Sequence, residues 1–179
     1  MLTEQELIKG CIEKNAACQR MLFETYSGRM MTICLRYALD HAEAEDILQE
    51  AFIRVFTYIA QYKHEGSFEG WIRRIVVTTA LKTIQKRKIK FRELSDTLHT
   101  APQIESYAVT NLSENELLKM ISDLPDGYRV VFNLAVIEGY SHEEIAQLLN
   151  IQPGTSRSQL VKARRMLQDQ IKLSQKIAV

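Results

Sequence analysis

"SHEEIAQLLN", Ser141 to Asn150, comes nearest in this sequence to a hydrolytic metal motif. A zinc protease needs a second histidine one helical turn after the first, so that both imidazoles share a helix face. Ala146 stands at that position. Cys11, Cys18 and Cys34 all lie in the first fifth of the chain, and no histidine pairs with them at ligand spacing. Their odd number makes a poor disulfide framework, so reduced, buried thiols are expected. The sequence has no phosphate-binding glycine loop and no Cys–His nucleophile pair. No catalytic residue, metal, cofactor or small-molecule substrate is therefore expected, and the chain is read as not an enzyme. The chemistry that remains is non-covalent: cations placed to meet anions.

Two segments carry it. Between Trp71 and Arg92 stand Arg73, Arg74, Lys82, Lys86, Arg87, Lys88, Lys90 and Arg92, with no acid among them. Ile72, Ile75, Val76, Ala80, Leu81 and Ile84 interleave them as a buried stripe. A helix with a single-sign outer face suits phosphate tracking. Just ahead, Tyr62, His64, Phe68 and Trp71 gather around two glycines, and aromatics beside a basic helix can stack on unpaired bases. Packing in the core is the competing account of Phe68 and Trp71. The second segment begins "GTSRSQL" at Gly154. Acids usually occupy a helix N-terminus, where they complement the dipole. Here the first acid is Asp169. At about 100° per residue, Leu160, Ala163, Leu167 and Ile171 share one face. Thr155, Ser158, Lys162 and Arg165 share the opposite face, flanked by Arg157 and Arg164, with Gln159 at its edge. Short hydroxyls permit close approach, and long basic chains reach phosphates. Such a helix suits the major groove of DNA. A solvated basic face is the competing account.

Helices must position both segments. The 179 residues are nearly half hydrophobic and carry a net charge of +1, which points to no particular partner. Capping boxes are expected at Thr3 with Glu6 and at Ser141 with Glu144. Helical periodicity runs through Met21–Leu39, the stretch after Asp40, and about 68–87. Later helices cover the segment before Pro125, then Asp126–Glu138 ending at a left-handed Gly139, then the stretch after Ser141, and a helix with Pro153 in its first turn. The last two form a helix-turn-helix. The polar stretch at 91–112 reads as a flexible linker between a domain at 1–90 and another at 113–179. The expected fold is all-α. No signal peptide or membrane span is read, so a cytoplasmic protein is expected. Asp40, Glu43, Glu45, Asp46 and Glu50 cluster at the start of one helix. They serve either its dipole or a protein partner.

"AEDILQEAFIRVF" followed by "GSFEGWIRRIVVTTAL" resembles region two of bacterial sigma factors. "LPDGYRVVFNLAVIEGYSHEEIAQLLNIQPGTSRSQLVKARRML" resembles region four of the same family. The two-region layout is similar to the extracytoplasmic-function group. The resemblance implies an alternative sigma factor that binds core RNA polymerase, directs it to promoter DNA and assists melting. It implies that Asp46, Gln49, Glu50 and Ile53 dock on the polymerase clamp. It implies that Tyr62, Lys63, Phe68, Trp71, Arg74, Thr78, Lys82, Lys86 and Arg87 meet the melted minus-ten strand. Thr155, Arg157, Ser158, Gln159, Lys162, Arg164 and Arg165 would meet the minus-thirty-five duplex. The helix from Asp126 to Glu138 would present apolar surface to the polymerase flap. An anti-sigma factor is implied as a further partner, switched through the linker.

The sequence departs from the family pattern at four positions. Thr78 stands where Asn is common and Lys82 where Asp is common. Ser156 stands where valine is usual and is expected to bond back to its own helix backbone. Gln159 stands where arginine is frequent, and its amide would favour adenine over guanine. A stand-alone helix-turn-helix regulator is the alternative function. The basic, aromatic segment at Phe68–Arg92 speaks against it, since a sensor domain has no need of one.

Overall fold

The computed structural model describes residues 2–94 and 114–177, with side chains over 2–86 and 116–174. The chain divides into two compact units, Met1–Asp96 and Thr97–Val179.

In the first unit, α1 (Glu4–Ile12), α2 (Ala16–Tyr37), α3 (His41–Tyr58) and α4 (Phe68–Leu94) are the helices, with a short 3-10 turn at Ile59–Gln61. Each of the first three starts where a side chain can satisfy orphan N–H groups. Thr3 Oγ1 accepts from Glu6 N–H, and Glu6 accepts from Thr3 N–H at 2.8 Å, completing the expected box. Asn15 Oδ1 accepts from Ala17 and Cys18 N–H at 2.9 and 3.2 Å. Asp40 Oδ1 accepts from Glu43 N–H at 2.8 Å. Helices α2, α3 and α4 pack on one another, and α1 lies on α2. A side chain at Gly10 would overlap Cys18 Sγ, so only glycine lets α1 lie this close to the start of α2.

The core is built by Leu22, Met30, Ile47, Ala51, Phe52 and Val55, closed by Ile72, Val76, Val77 and Ala80 of α4. Each large aliphatic side chain buried here stabilises the unit by about 1.5–3 kcal/mol. Ile75, read as part of the buried stripe, is half-buried, and Val77 takes the inner place. Helix α4 continues to Leu94, beyond the expected domain end at 90. "FREL" contains no glycine or proline to stop it. The rest of the expected linker, from 95 to 112, lies outside the described residues. All three cysteines are free thiols, but only Cys11 and Cys34 are buried. Burial pushes the Cys34 thiol up to about 12. Burial first, and nearby Cys18 second, push the Cys11 thiol up to about 11.

The second unit contains α5 (Glu114–Ser122), α6 (Asp126–Phe132), α7 (His142–Leu149) and α8 (Pro153–Ile177). Helices α5, α6 and α7 all pack on α8. Ile121, Leu124, Ala163 and Leu167 form one cluster, with Met120, Tyr128, Phe132 and Met166 against it. Arg129 is only 3% exposed. It donates to Ser122 O and to Asp126 Oδ1, both at 2.9 Å, fastening the end of α5 to the start of α6. The expected helix from Asp126 to Glu138 is not α-helical throughout. Asn133–Ile137 widens into a π turn, with Glu138 N–H donating to Asn133 O at 2.9 Å. The extra residue in that turn lets both Asn133 and Leu134 point inward, where each is fully buried. Gly139 then ends the segment at φ 76°, as its place in the sequence predicts.

Candidate nucleic-acid interface

Helices α7 and α8 meet through a turn held by Asn150 at φ 53°, a left-handed position that asparagine tolerates. Ile151 N–H donates to Ala146 O at 3.0 Å across it. The second expected capping box is present: Ser141 accepts from Glu144 N–H at 3.2 Å and Glu144 accepts from Ser141 N–H at 2.8 Å. Leu160, Ala163 and Leu167 hold the inner face of α8 in the core. That anchoring turns Thr155, Ser158, Lys162 and Arg165 outward, where all are exposed, as are Arg157 and Arg164. No acid occupies the first turn of α8.

The outer face is not uniformly free. Arg157 Nη2 donates to Glu143 Oε1 of α7 at 2.7 Å. Ser158 Oγ donates to Thr155 O at 2.9 Å. Lys162 Nζ lies 5.9 Å from the centre of the Tyr128 ring. Gln159 is half-buried, and its amide lies beside Gly127 of α6. In this rotamer Gln159 faces α6, because its position on the wheel borders the core. Ser156 is also corrected. It is fully buried, and its hydroxyl is hydrogen-bonded to His142 Nδ1 at 2.8 Å rather than to its own helix.

In the first unit, Arg74, Lys82 and Lys86 project from α4 into solvent, and Lys63 is exposed in the loop before it. Arg87 lies outside the described side chains. The aromatic residues divide. Phe68 is 1% exposed and Tyr62 9%. The Tyr62 hydroxyl donates to Gly66 O at 2.8 Å, which closes the loop on itself. Trp71 is half-buried and stacks on Phe68 with centroids 5.7 Å apart and planes 13° apart. Phe68 and Tyr62 are therefore packed in the core, the competing account already given for Phe68. The loop needs apolar anchors, and these two rings are the largest it has. Thr78 is half-buried, and its Oγ1 donates to Arg74 O at 2.9 Å and Ile75 O at 3.0 Å. Its hydroxyl proton is held by its own helix.

Asp46, Gln49, Glu50 and Ile53 are all exposed on α3, and their spacing of three and four places them in one stripe. Ile53 is 62% exposed although its neighbours Phe52 and Val55 are buried. Glu50 pairs with Arg54 within the helix at 2.7 Å. Asp40 and Glu43 cap the helix, so part of the acidic cluster has a local role.

Among the described residues, no group of His, Cys, Asp and Glu is arranged to hold a metal ion. None of the described helices is long and apolar enough to cross a membrane. Fold and surface together define an all-helical, two-unit protein with a helix-turn-helix in its second unit.

Comparison with known proteins narrows this class. Residues 22–89 match the family model for sigma-70 region 2, and residues 114–167 match that for sigma-70 region 4. The ECF RNA polymerase sigma-E factor of Haemophilus influenzae is 27% identical, over 95% of this chain and 96% of its own length. The ECF RNA polymerase sigma factor SigW of Bacillus subtilis is 28% identical, over 84% of this chain and 87% of its own. The sigma factor RpoE of Bartonella quintana, solved with the anti-sigma factor NepR, has the same fold. It superposes with a TM-score of 0.57 at 18% identity, covering 86% of this chain and 96% of that one. CnrH, solved with the cytosolic domain of CnrY, superposes with a TM-score of 0.51 at 16% identity, over 93% and 96%. The chain belongs to the sigma-70 family, in its extracytoplasmic-function group.

Proposed function

We propose that this protein acts in the cytoplasm, binds core RNA polymerase through the α3 stripe and holds promoter DNA through α8 and α4. Asp46, Gln49, Glu50 and Ile53 make the polymerase contact, with Ile53 as the apolar centre. Thr155, Arg157, Ser158, Lys162, Arg164 and Arg165 meet the minus-thirty-five duplex. Trp71, Arg74, Thr78, Lys82 and Lys86 meet the melted minus-ten strand, with Lys63 at the loop. Val136 is 47% exposed and offers apolar surface to the polymerase flap. The protein performs no covalent chemistry. Opening the duplex costs about a few kcal/mol per unstacked step, offset by captured bases and phosphate contacts.

The observation that carries this reading is the sidedness of α8. Its inner face is sealed by Leu160, Ala163 and Leu167, and its opposite face is exposed and cationic, with no acid in the first turn. An anti-sigma factor is a further proposed partner, since both solved neighbours were captured with one or with a second protein's cytosolic domain. Run-off transcription with purified core polymerase and randomised promoter templates tests the function. Transcripts that depend on this protein and share a motif support it. Tight, sequence-specific duplex binding by the free protein, with no effect on polymerase, refutes it.

A further inference from the structure

Two adjacent residues in the first turn of α7 hold two adjacent residues at the junction of the first and second turns of α8, in one register. His142 is hydrogen-bonded to Ser156 at 2.8 Å, and Glu143 to Arg157 at 2.7 Å. The two bonds differ in kind. Ser156 is fully buried, so the first bond fixes how the helices lie against each other. The side chains of Arg157 and Glu143 are 57% and 61% exposed, so the second bond adds little to stability. Its geometric consequence is larger. An arginine side chain samples many rotamers in water, and ordering it on a base edge costs conformational entropy. Glu143 engages one of the five guanidinium N–H donors and leaves the others of the fork open.

We propose that Glu143 is a positioning residue for sequence reading: it holds the Arg157 guanidinium, before DNA arrives, in the orientation in which its remaining donors meet a base edge in the major groove. This rests on the docking of α8 proposed above. Glu143 touches no base itself. Its carboxylate also repels phosphate, so the clasp restrains Arg157 from settling on the DNA backbone instead. Without Glu143, the arginine is released to nearby phosphates, and selectivity is exchanged for non-specific affinity.

The test uses holoenzyme assembled from core polymerase and the full chain. Duplexes randomised across the minus-thirty-five segment are selected by binding and sequenced. Arg157→Ala flattens one position of the selected motif, with discrimination there falling by about tenfold. Glu143→Ala flattens the same position by about three- to tenfold and leaves the others unchanged. Glu143→Gln keeps an acceptor oxygen and restores part of the preference. Binding to unrelated duplex becomes more salt-sensitive in Glu143→Ala, its log–log slope steepening by about one. A purely structural role for Glu143 would instead lower all positions together and leave that slope unchanged. If Arg157→Ala flattens a position and Glu143→Ala does not, the positioning role is refuted while the docking of α8 stands. If Arg157→Ala flattens no position, the placement of Arg157 in the groove fails, and this role fails with it.

Discussion

The imidazole of His142 and the hydroxyl of Ser156 lie 2.8 Å apart, joining the first turn of α7 to the start of α8 inside the helix-turn-helix. Ser156 is fully buried, so the bond is shielded from competing water. Ser156→Ala should lower the stability of the protein by about 1 kcal/mol, the ordinary net value of such a bond. Denaturant unfolding of the full chain measures it. A variant as stable as the parent would show the contact to be energetically idle.

Phe68 and Trp71 stack, but only Trp71 reaches the surface. Phe68→Ala empties a core site and should destabilise the protein by about 3–5 kcal/mol. Trp71→Ala should cost less stability but impair promoter opening more. Thermal melts and permanganate footprinting of the open complex separate the two effects. Equal melting losses in both variants would contradict this division of roles.

Ile53 is a large apolar side chain left in water on α3. Ile53→Asp should leave the fold within about 0.5 kcal/mol of the parent, as exposed substitutions generally do. Core polymerase binding should weaken by about tenfold or more, since burying an isoleucine contributes about 1.5–3 kcal/mol. A fluorescence titration of core polymerase reads the change directly. Unaltered affinity would move the polymerase contact elsewhere.

Lys82 and Lys86 project from α4 with no acid beside them in sequence. Replacing both by alanine should weaken holoenzyme binding to a pre-melted template. The dependence of log affinity on log salt should become shallower by about 0.7 for each lost single-strand phosphate contact. An unchanged slope would place the melted strand away from this face.

The buried thiol of Cys34 has its pKa raised from 9.0 to about 12. The folded state therefore holds this proton more tightly than the unfolded chain does. Its contribution to stability is fully present below about pH 9 and is lost as pH rises towards 12. Tyr26, raised from 10.0 to about 12 chiefly by burial and by its bond to Glu4, acts in the same sense. Stability measured across that window should fall with pH, and less steeply in Cys34→Ala. An equal slope in that variant would show that Cys34 is not a source of the alkaline loss.

The sequence by itself determined the helices, both capping boxes, the sealed face of α8 and the two cationic segments. These are properties of neighbours three or four residues apart, and such neighbours share a helix face whatever surrounds them. Tertiary structure alone decided which residues on those faces are available. Phe68 and Tyr62 read as aromatic platforms, yet their loop has to be anchored, and the packing drew them inside. Gln159 borders two faces, and its amide lies beside Gly127 of α6. Ser156 found its partner fourteen positions away on another helix, at a distance where helical periodicity says nothing. The Glu143 clasp on Arg157 was hidden for the same reason. Periodicity fixes a side chain's direction about its own helix axis, but what it meets there depends on how the helices come together.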